Sequence, residues 1–210
     1  AFAGVGNKEP SRDDFTESTT NSRPSHESLI DIEIGYRYSS ETVSFSANFY
    51  NMQYNNQLIL TGELNDVGSA VRVNIPDSYR RGIELTGSFQ LMDKLLWRLN
   101  ATFSENKIAE FNEFIDNWDT GGKDSVTHTN TNIAFSPSII AGSQLIFTPF
   151  NSDENGKLDL ALVSKYVGDQ FIDNTSSEYA KIDAYLVNDF RVSYSVKTKL
   201  FKQVVISSWI

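Results

Sequence analysis

Ile30-Asp31-Ile32-Glu33-Ile34-Gly35-Tyr36-Arg37-Tyr38 alternates without a break: isoleucine and tyrosine take the even positions, Asp31, Glu33, Gly35 and Arg37 the odd ones. Successive side chains of an extended chain point to opposite faces, so this stretch is a strand with one greasy and one charged face. Outward from it the same period recurs. Val43, Phe45, Ala47 and Phe49 alternate with Ser44, Ser46, Asn48 and Tyr50, and Ile83, Leu85, Gly87 and Phe89 with Glu84, Thr86, Ser88 and Gln90. Leu95, Trp97, Leu99, Ala101 and Phe103 oppose Leu96, Arg98, Asn100, Thr102 and Ser104. Leu158, Leu160 and Leu162 oppose Asp159, Ala161 and Val163, while Phe190, Val192, Tyr194 and Val196 oppose Asp189, Arg191, Ser193 and Ser195. Helical spacing is sustained nowhere, so the chain is all-β. Residues 132–147 read as a further strand interrupted by Pro137. With pieces at 1–8 and 201–210 the count is about nine strands, of roughly ten residues or more where complete.

Composition excludes several classes. Of 210 residues 40% are hydrophobic and 21% charged, which is too apolar for wholesale disorder. No apolar run approaches the ~18 residues of a transmembrane helix. Eighteen basic residues against 27 acidic ones give a net charge of -9, which argues against nucleic acid as a partner. The absence of cysteine removes disulfides, thiolate metal sites and cysteine nucleophiles. The opening Ala1-Phe2-Ala3-Gly4-Val5 has no secretory-signal pattern and reads as a piece of something longer.

The connections sort into two kinds. Short links lie near Ser39–Thr42, Met92–Lys94, Asn151–Gly156 and Lys197–Lys199; long polar ones occupy Pro10–Ser28, Gln57–Ser78, Lys107–Thr131 and Gly168–Lys181. Strict alternation of the two puts long loops on one rim and tight turns on the other, as in an antiparallel up-and-down transmembrane β-barrel. A soluble sandwich also alternates, but its strands average ~5 to 6 residues where a membrane-spanning strand needs ~9 to 11. Tyr36, Tyr38, Trp97, Tyr166 and Tyr194 near strand ends suit an interfacial girdle. Charged residues in mid-strand, among them Glu33, Arg37, Glu84, Arg98, Asp189 and Arg191, suit a hydrated lumen better than a packed core.

Particular strings resemble the barrel of TonB-dependent outer-membrane receptors of the kind found in Bacteroidetes. They are Glu9-Pro10-Ser11-Arg12-Asp13-Asp14-Phe15, Glu33-Ile34-Gly35-Tyr36, Asn48-Phe49-Tyr50-Asn51-Met52-Gln53-Tyr54-Asn55-Asn56-Gln57-Leu58, and Thr61-Gly62 with Asn65-Asp66-Val67-Gly68. Asn74 with Ser78-Tyr79-Arg80-Arg81-Gly82-Ile83-Glu84-Leu85, Tyr166-Val167-Gly168-Asp169-Gln170-Phe171-Ile172-Asp173-Asn174-Thr175, and Asp189-Phe190-Arg191-Val192-Ser193-Tyr194 complete them. Each string is weak alone; their order and spacing are specific. The resemblance covers nearly the whole chain and implies part of a ~22-stranded barrel, beginning in about the thirteenth strand and stopping within the twenty-first. Residues 1–210 would then be a partial barrel domain without the plug domain, the TonB-contacting segment and the closing strand.

The same resemblance implies a receptor in the outer membrane of a Gram-negative cell. It would take up a scarce nutrient, a ferric siderophore first and cobalamin or an oligosaccharide behind it, when the TonB complex remodels the plug. Partners would be that nutrient, the TonB complex and outer-membrane lipid; no enzymatic step and no cofactor are implied. On the extracellular side Tyr54, Asn55, Asn56, Gln57, Phe111, Phe114, Trp118 and Tyr179 are the candidate ligand contacts. Asp169, Gln170, Asp173 and Asn174 join Glu33, Arg37, Glu84, Arg98, Asp189 and Arg191 as groups facing the lumen or plug. A piece of barrel also has open strand edges, so the isolated chain should self-associate.

Other motifs carry less. Gly4-Val5-Gly6 lacks a third glycine and a helix, and Gly122-Lys123-Asp124 lacks the rest of a phosphate loop. Asp116-Asn117-Trp118-Asp119-Thr120-Gly121 puts tryptophan at a calcium-ligand position and has no terminal glutamate. The two histidines, His26 and His128, fall in separate long connections and assemble no triad or zinc site. The alternative from another class is a soluble extracellular β-sandwich that binds or adheres through the same aromatic loops. It requires the Ile30, Ile32, Ile34 stripe to be buried between two sheets.

Overall fold

The structure is a computed structural model that describes residues 1–19, 22–65, 67–152, 156–196 and 204–209. A first strand, β1 (Phe2–Lys8), leads through a short helix, α1 (Arg12–Glu17), to β2 (Glu27–Ser39), and then come three long strands, β3 (Val43–Leu64), β4 (Ala70–Met92) and β5 (Leu95–Asn117). β6 (Gly122–Asn132), β7 (Ile139–Ser152) and β8 (Gly156–Val167) follow; a small pair, β9 (Gln170–Phe171) and β10 (Lys181–Ile182), precedes β11 (Tyr185–Val196) and β12 (Val204–Trp209). Ten of these make one sheet, with nine along the wall in the order β1-β2-β3-β4-β5-β7-β8-β11-β12. β6 pairs with the far half of β5. Every pairing is antiparallel and joins chain neighbours, apart from two: β7 takes over from β6 on β5, and β8 pairs with β11 past the small β9–β10 pair. This is the up-and-down layout expected, and within the described residues the sheet is not closed.

Register decides which way each face looks. Tyr36, Ala47, Leu85, Ala101, Ala141, Tyr166 and Leu186 form one row across seven strands. Arg37, Ser46, Thr86, Asn100, Gly142 and Lys165 form the row one residue over, on the opposite face. Side chains directly across an antiparallel pair share a face, so the apolar stripes merge into a band and the polar ones into a second surface. The band is bare: Ile34 is 61% and Phe49 58% exposed. The β-sandwich alternative is therefore set aside, because among the described residues no second sheet covers the Ile30, Ile32, Ile34 stripe. A single layer that is greasy on one side and polar on the other is the wall of a membrane barrel.

Two of the stretches expected as long polar links are mostly strand. β3 and β4 stay paired to Leu64 and Ala70, and β5 and β6 pair from Lys107–Asn132 to Asn117–Gly122. Both hairpins run past the apolar band, because main-chain groups beyond it still need partners and the ladder supplies them. Where the hairpins meet, Ile59, Ile75, Ile108, Phe111 and Ile133 form a buried cluster, and Ile108 is wholly inaccessible. Packing thus sits beyond the band, while the wall is held by its ladders. At the opposite rim the Ser39–Thr42 turn is closed by Ser40, whose N–H donates to the Val43 carbonyl at 2.7 Å. The short links at 151–156 and 197–199 fall largely or wholly outside the described residues.

Candidate functional site

Between β6 and β7 the chain turns onto the polar face. Residues 133–138 form a strap across it, and five hydrogen bonds explain why they lie there. The Ile133 N–H donates to the Asn106 carbonyl at 3.1 Å, and the Ser104 N–H to the Ser138 carbonyl at 2.8 Å. Ser104 Oγ donates to the Pro137 carbonyl at 3.2 Å, and Arg80 Nη1 to Ser136 Oγ at 2.9 Å. The Phe135 N–H donates to the Phe171 carbonyl at 2.8 Å. Pro137, which has no N–H to offer a ladder, falls within this non-strand segment between β6 and β7. Phe135 adopts φ 52, left-handed for a residue with a bulky side chain.

Beneath the strap lies a concavity of about 360 Å³ in the polar face. Glu33, Asn48, Tyr50, Arg80, Glu84 and Phe135 line it. Asn48 Nδ2 donates to Glu33 Oε2 at 2.8 Å and so fixes that carboxylate. Gly82 makes room on its floor: a Cβ there would strike the Phe103 carbonyl and the Tyr50 hydroxyl. Arg37, Arg98, Asp189 and Arg191 stand elsewhere on the same face; Arg191 lies over the Trp209 ring at 5.0 Å, and its Nε is buried without a hydrogen-bond partner among the described residues.

The predicted rim residues separate into packed and free ones. Asn174 is 7% exposed and is a brace: its Oδ1 accepts from the Ala134 N–H at 2.9 Å and its Nδ2 donates to the Leu60 carbonyl at 3.0 Å. Asp173 Oδ1 accepts from the Thr175 N–H and hydroxyl, closing a local turn, and Gln170 pairs with Ile182 in the small β9–β10 ladder. Asp169 bonds Lys181 at 3.1 Å; that bond, with Glu178 alongside, raises the lysine above its ordinary pKa. Gln57 Oε1 accepts from Ser78 Oγ at 2.6 Å. Asn56 sits left-handed at φ 56, its carbonyl receiving Asn74 Nδ2 at 2.6 Å. The Tyr54 hydroxyl donates to Met52 Sδ at 3.8 Å, and Asn55 pairs with Ser28 and Asp77.

Among the aromatic candidates, Phe111 is only 4% exposed; its ring lies in the hairpin cluster and stacks on His128 at 5.2 Å. It packs the hairpins and does not face solvent. Phe114 is half-buried on β5 opposite Ser125. Trp118 at the tip of the β5–β6 hairpin and Tyr179 in the turn before β10 are bare, 91% and 103% exposed. Sequence reasoning passed over Phe135, Tyr50 and Arg80. The one hint for Phe135 was a lone aromatic two residues before the Pro137 that breaks the strand pattern. Among the described residues no three His, Asp or Glu groups converge as a metal site.

Residues 26–207 match the family described as TonB dependent receptor-like, beta-barrel. The chain belongs to that family. TonB-dependent receptors are transporters of the Gram-negative outer membrane and not enzymes. Solved structures agree on the fold. The receptor segment is 14% identical to the ferric yersiniabactin uptake receptor FyuA of Yersinia pestis, over 91% of this chain and 26% of that one, at a TM-score of 0.60. It is 12% identical to the copper transporter OprC, over 91% of this chain and 28% of that one, at 0.65. It is 16% identical to the FrpB iron transporter of Neisseria meningitidis, over 87% of this chain and 26% of that one, at 0.55. The receptor segment therefore spans roughly a quarter of the length of these structures. No curated protein sequence matches it. The strap and its concavity lie on the polar face, on the hairpin side of the wall.

Proposed function

We propose that this chain is wall and outer mouth of a receptor that captures a ferric siderophore outside the cell and passes it inward when TonB acts on a plug. The observation that supports this most is the single antiparallel layer with its bare apolar band, its polar inner face and its hairpins rising on one side only. Such a layer is stable where lipid covers one face and water or a polar plug fills the other. The relatives include proteins described as uptake receptors for ferric chelates, among them the ferric preacinetobactin receptor BauA of Acinetobacter baumannii. In this reading Trp118, Tyr179 and the β3–β4 hairpin make first contact with the ligand, Arg37, Arg98, Asp189 and Arg191 border the plug, and Glu33 and Glu84 line the concavity beneath the strap.

The test is binding to the full-length receptor in detergent, by quenching of intrinsic fluorescence, across ferric siderophores, corrinoids and oligosaccharides. At least one ferric chelate should bind with a Kd of about 1 μM or tighter, and deleting TonB should abolish its uptake without altering that Kd. Saturable binding of a glycan or corrinoid alone would overturn the siderophore assignment.

A further inference from the structure

Two independent features of the outer mouth bear on what the ligand must look like. The first is Phe135. Its ring is 65% exposed although it lines a concavity, and its backbone is held at φ 52 by the hydrogen bonds of the strap. The brace at Asn174 ties the strap to β3, and Ser176 Oγ, which accepts at 2.7 Å from the N–H of Asn132 at the end of β6, ties the residue before the strap to the β9–β10 loop. An over-determined segment that presents a bare apolar ring in a strained conformation is built to meet something. The second feature is where the charge lies. Residues 9–26, 53–79, 107–138 and 168–184, which make up the outer connections, hold 16 of the 27 acidic residues and only 6 of the 18 basic ones. The rest of the chain, with 11 acidic and 12 basic residues, is nearly balanced, so the whole net charge of -9 stands at the mouth. Glu33 and Glu84 against Arg80 keep the concavity itself net acidic.

We propose that the concavity beneath the strap is a ligand seat in which Phe135 packs against an apolar face of the cargo, and that the cargo is a neutral or cationic chelate. This rests on the uptake reading above and narrows it. A mouth of one sign focuses its field on the approaching ligand, lowering the local concentration of anions and raising that of cations. A ferric tris-hydroxamate is neutral and meets no barrier. A ferric tris-catecholate is a trianion and meets repulsion first from the hairpins and then from Glu33 and Glu84. The concavity lies in the size range of small-molecule sites, about 300–1,000 Å³, and offers the ring together with the hydrogen-bonding groups of Tyr50, Asn48 and Arg80.

The experiment compares the full-length receptor with Phe135→Gly and Phe135→Tyr, using a ferric tris-hydroxamate and a ferric tris-catecholate as probes. Glycine removes the ring and eases the left-handed backbone, so thermal unfolding monitored alongside should be unchanged. The wild type should bind the neutral probe at least about tenfold more tightly than the trianion at low salt. Raising the ionic strength from about 0.01 M to 1 M should strengthen the trianion and leave the neutral probe alone. Phe135→Gly should weaken the neutral probe by about tenfold, while Phe135→Tyr should stay within about twofold of wild type. A trianion that binds more tightly than the neutral probe overturns the charge assignment. An unchanged Kd in Phe135→Gly overturns the seat, and if protease sensitivity of the plug changes with it, the ring's partner is the plug. Should the wild type bind no ferric chelate in the wider panel, the uptake reading fails first and this inference falls with it.

Discussion

Asn174 joins segments that the chain separates by up to 114 residues, and it does so with both ends of one amide. Replacing it with alanine leaves the Ala134 N–H and the Leu60 carbonyl without their partner, which costs about 1–3 kcal/mol. Hydrogen exchange in residues 133–138 of Asn174→Ala should quicken by about tenfold or more, while amides of β7 and β8 keep their protection; equal loss in both would show that the brace is not local. Asp14 is a second tether. Burial pushes its carboxyl up, but the hydrogen bonds from Ser11 and the contact with Arg72 at 3.1 Å outweigh this and hold it below its ordinary value. A depressed carboxylate contributes stability that is complete above its unfolded pKa, about 4, and is lost as pH falls through the lower folded value. The β1–β2 connection should therefore become protease-sensitive only below about pH 4, and Asp14→Asn should show that sensitivity at neutral pH. An acid-insensitive wild type would remove the tether.

At the scale of elements, the long hairpins behave as small packed bodies mounted on an unpacked wall. Ile108 is the centre of that packing, and Ile108→Ala should cost about 2–5 kcal/mol of hairpin stability. It should release the β3–β4 and β5–β6 tips to exchange without altering the insertion of the wall in detergent; loss of the whole fold would mean the hairpins are not independent. The same contrast explains what could be read from the residues. β2, the near halves of β3, β4 and β5, and β8 and β11 alternate cleanly because they form a single layer with one apolar and one polar face. Beyond the band that asymmetry ends. Ile59 and Ile75 pack with Ile108 and Phe111 between two hairpins, so the pattern at 57–78 and 107–131 dissolves and composition suggests loop. The strap was legible only as the break at Pro137, because its path across the polar face is set by Arg80, Ser104 and Asn106, far away in sequence. For the rim residues, the sequence offers no means to tell a brace such as Asn174, or a turn-closing group such as Asp173, from a ligand or plug contact.

The whole molecule makes one further demand, on the sign of its two faces. Leu85 and Thr86 are adjacent in β4 and point apart, toward the band and toward the lumen. Leu85→Arg should cost about 2–4 kcal/mol in lipid vesicles, the value for arginine near the middle of an apolar band. Thr86→Arg, which places the same charge among Ser46 and Asn100, should cost far less. Denaturant titration of the full-length receptor folded into vesicles compares the two, and equal penalties would contradict the orientation assigned to the wall.

β5 serves two neighbours in succession, β7 in its lower half and β6 in its upper half, without leaving one extended line. Side-chain direction repeats every second residue along it. Growth of a hairpin by an even number of residues on each arm would keep every existing group aimed as before, whereas an odd insertion would turn everything distal inside out. New recognition tips could thus be grafted onto this scaffold in steps of two, leaving the membrane-spanning part unaware of the change.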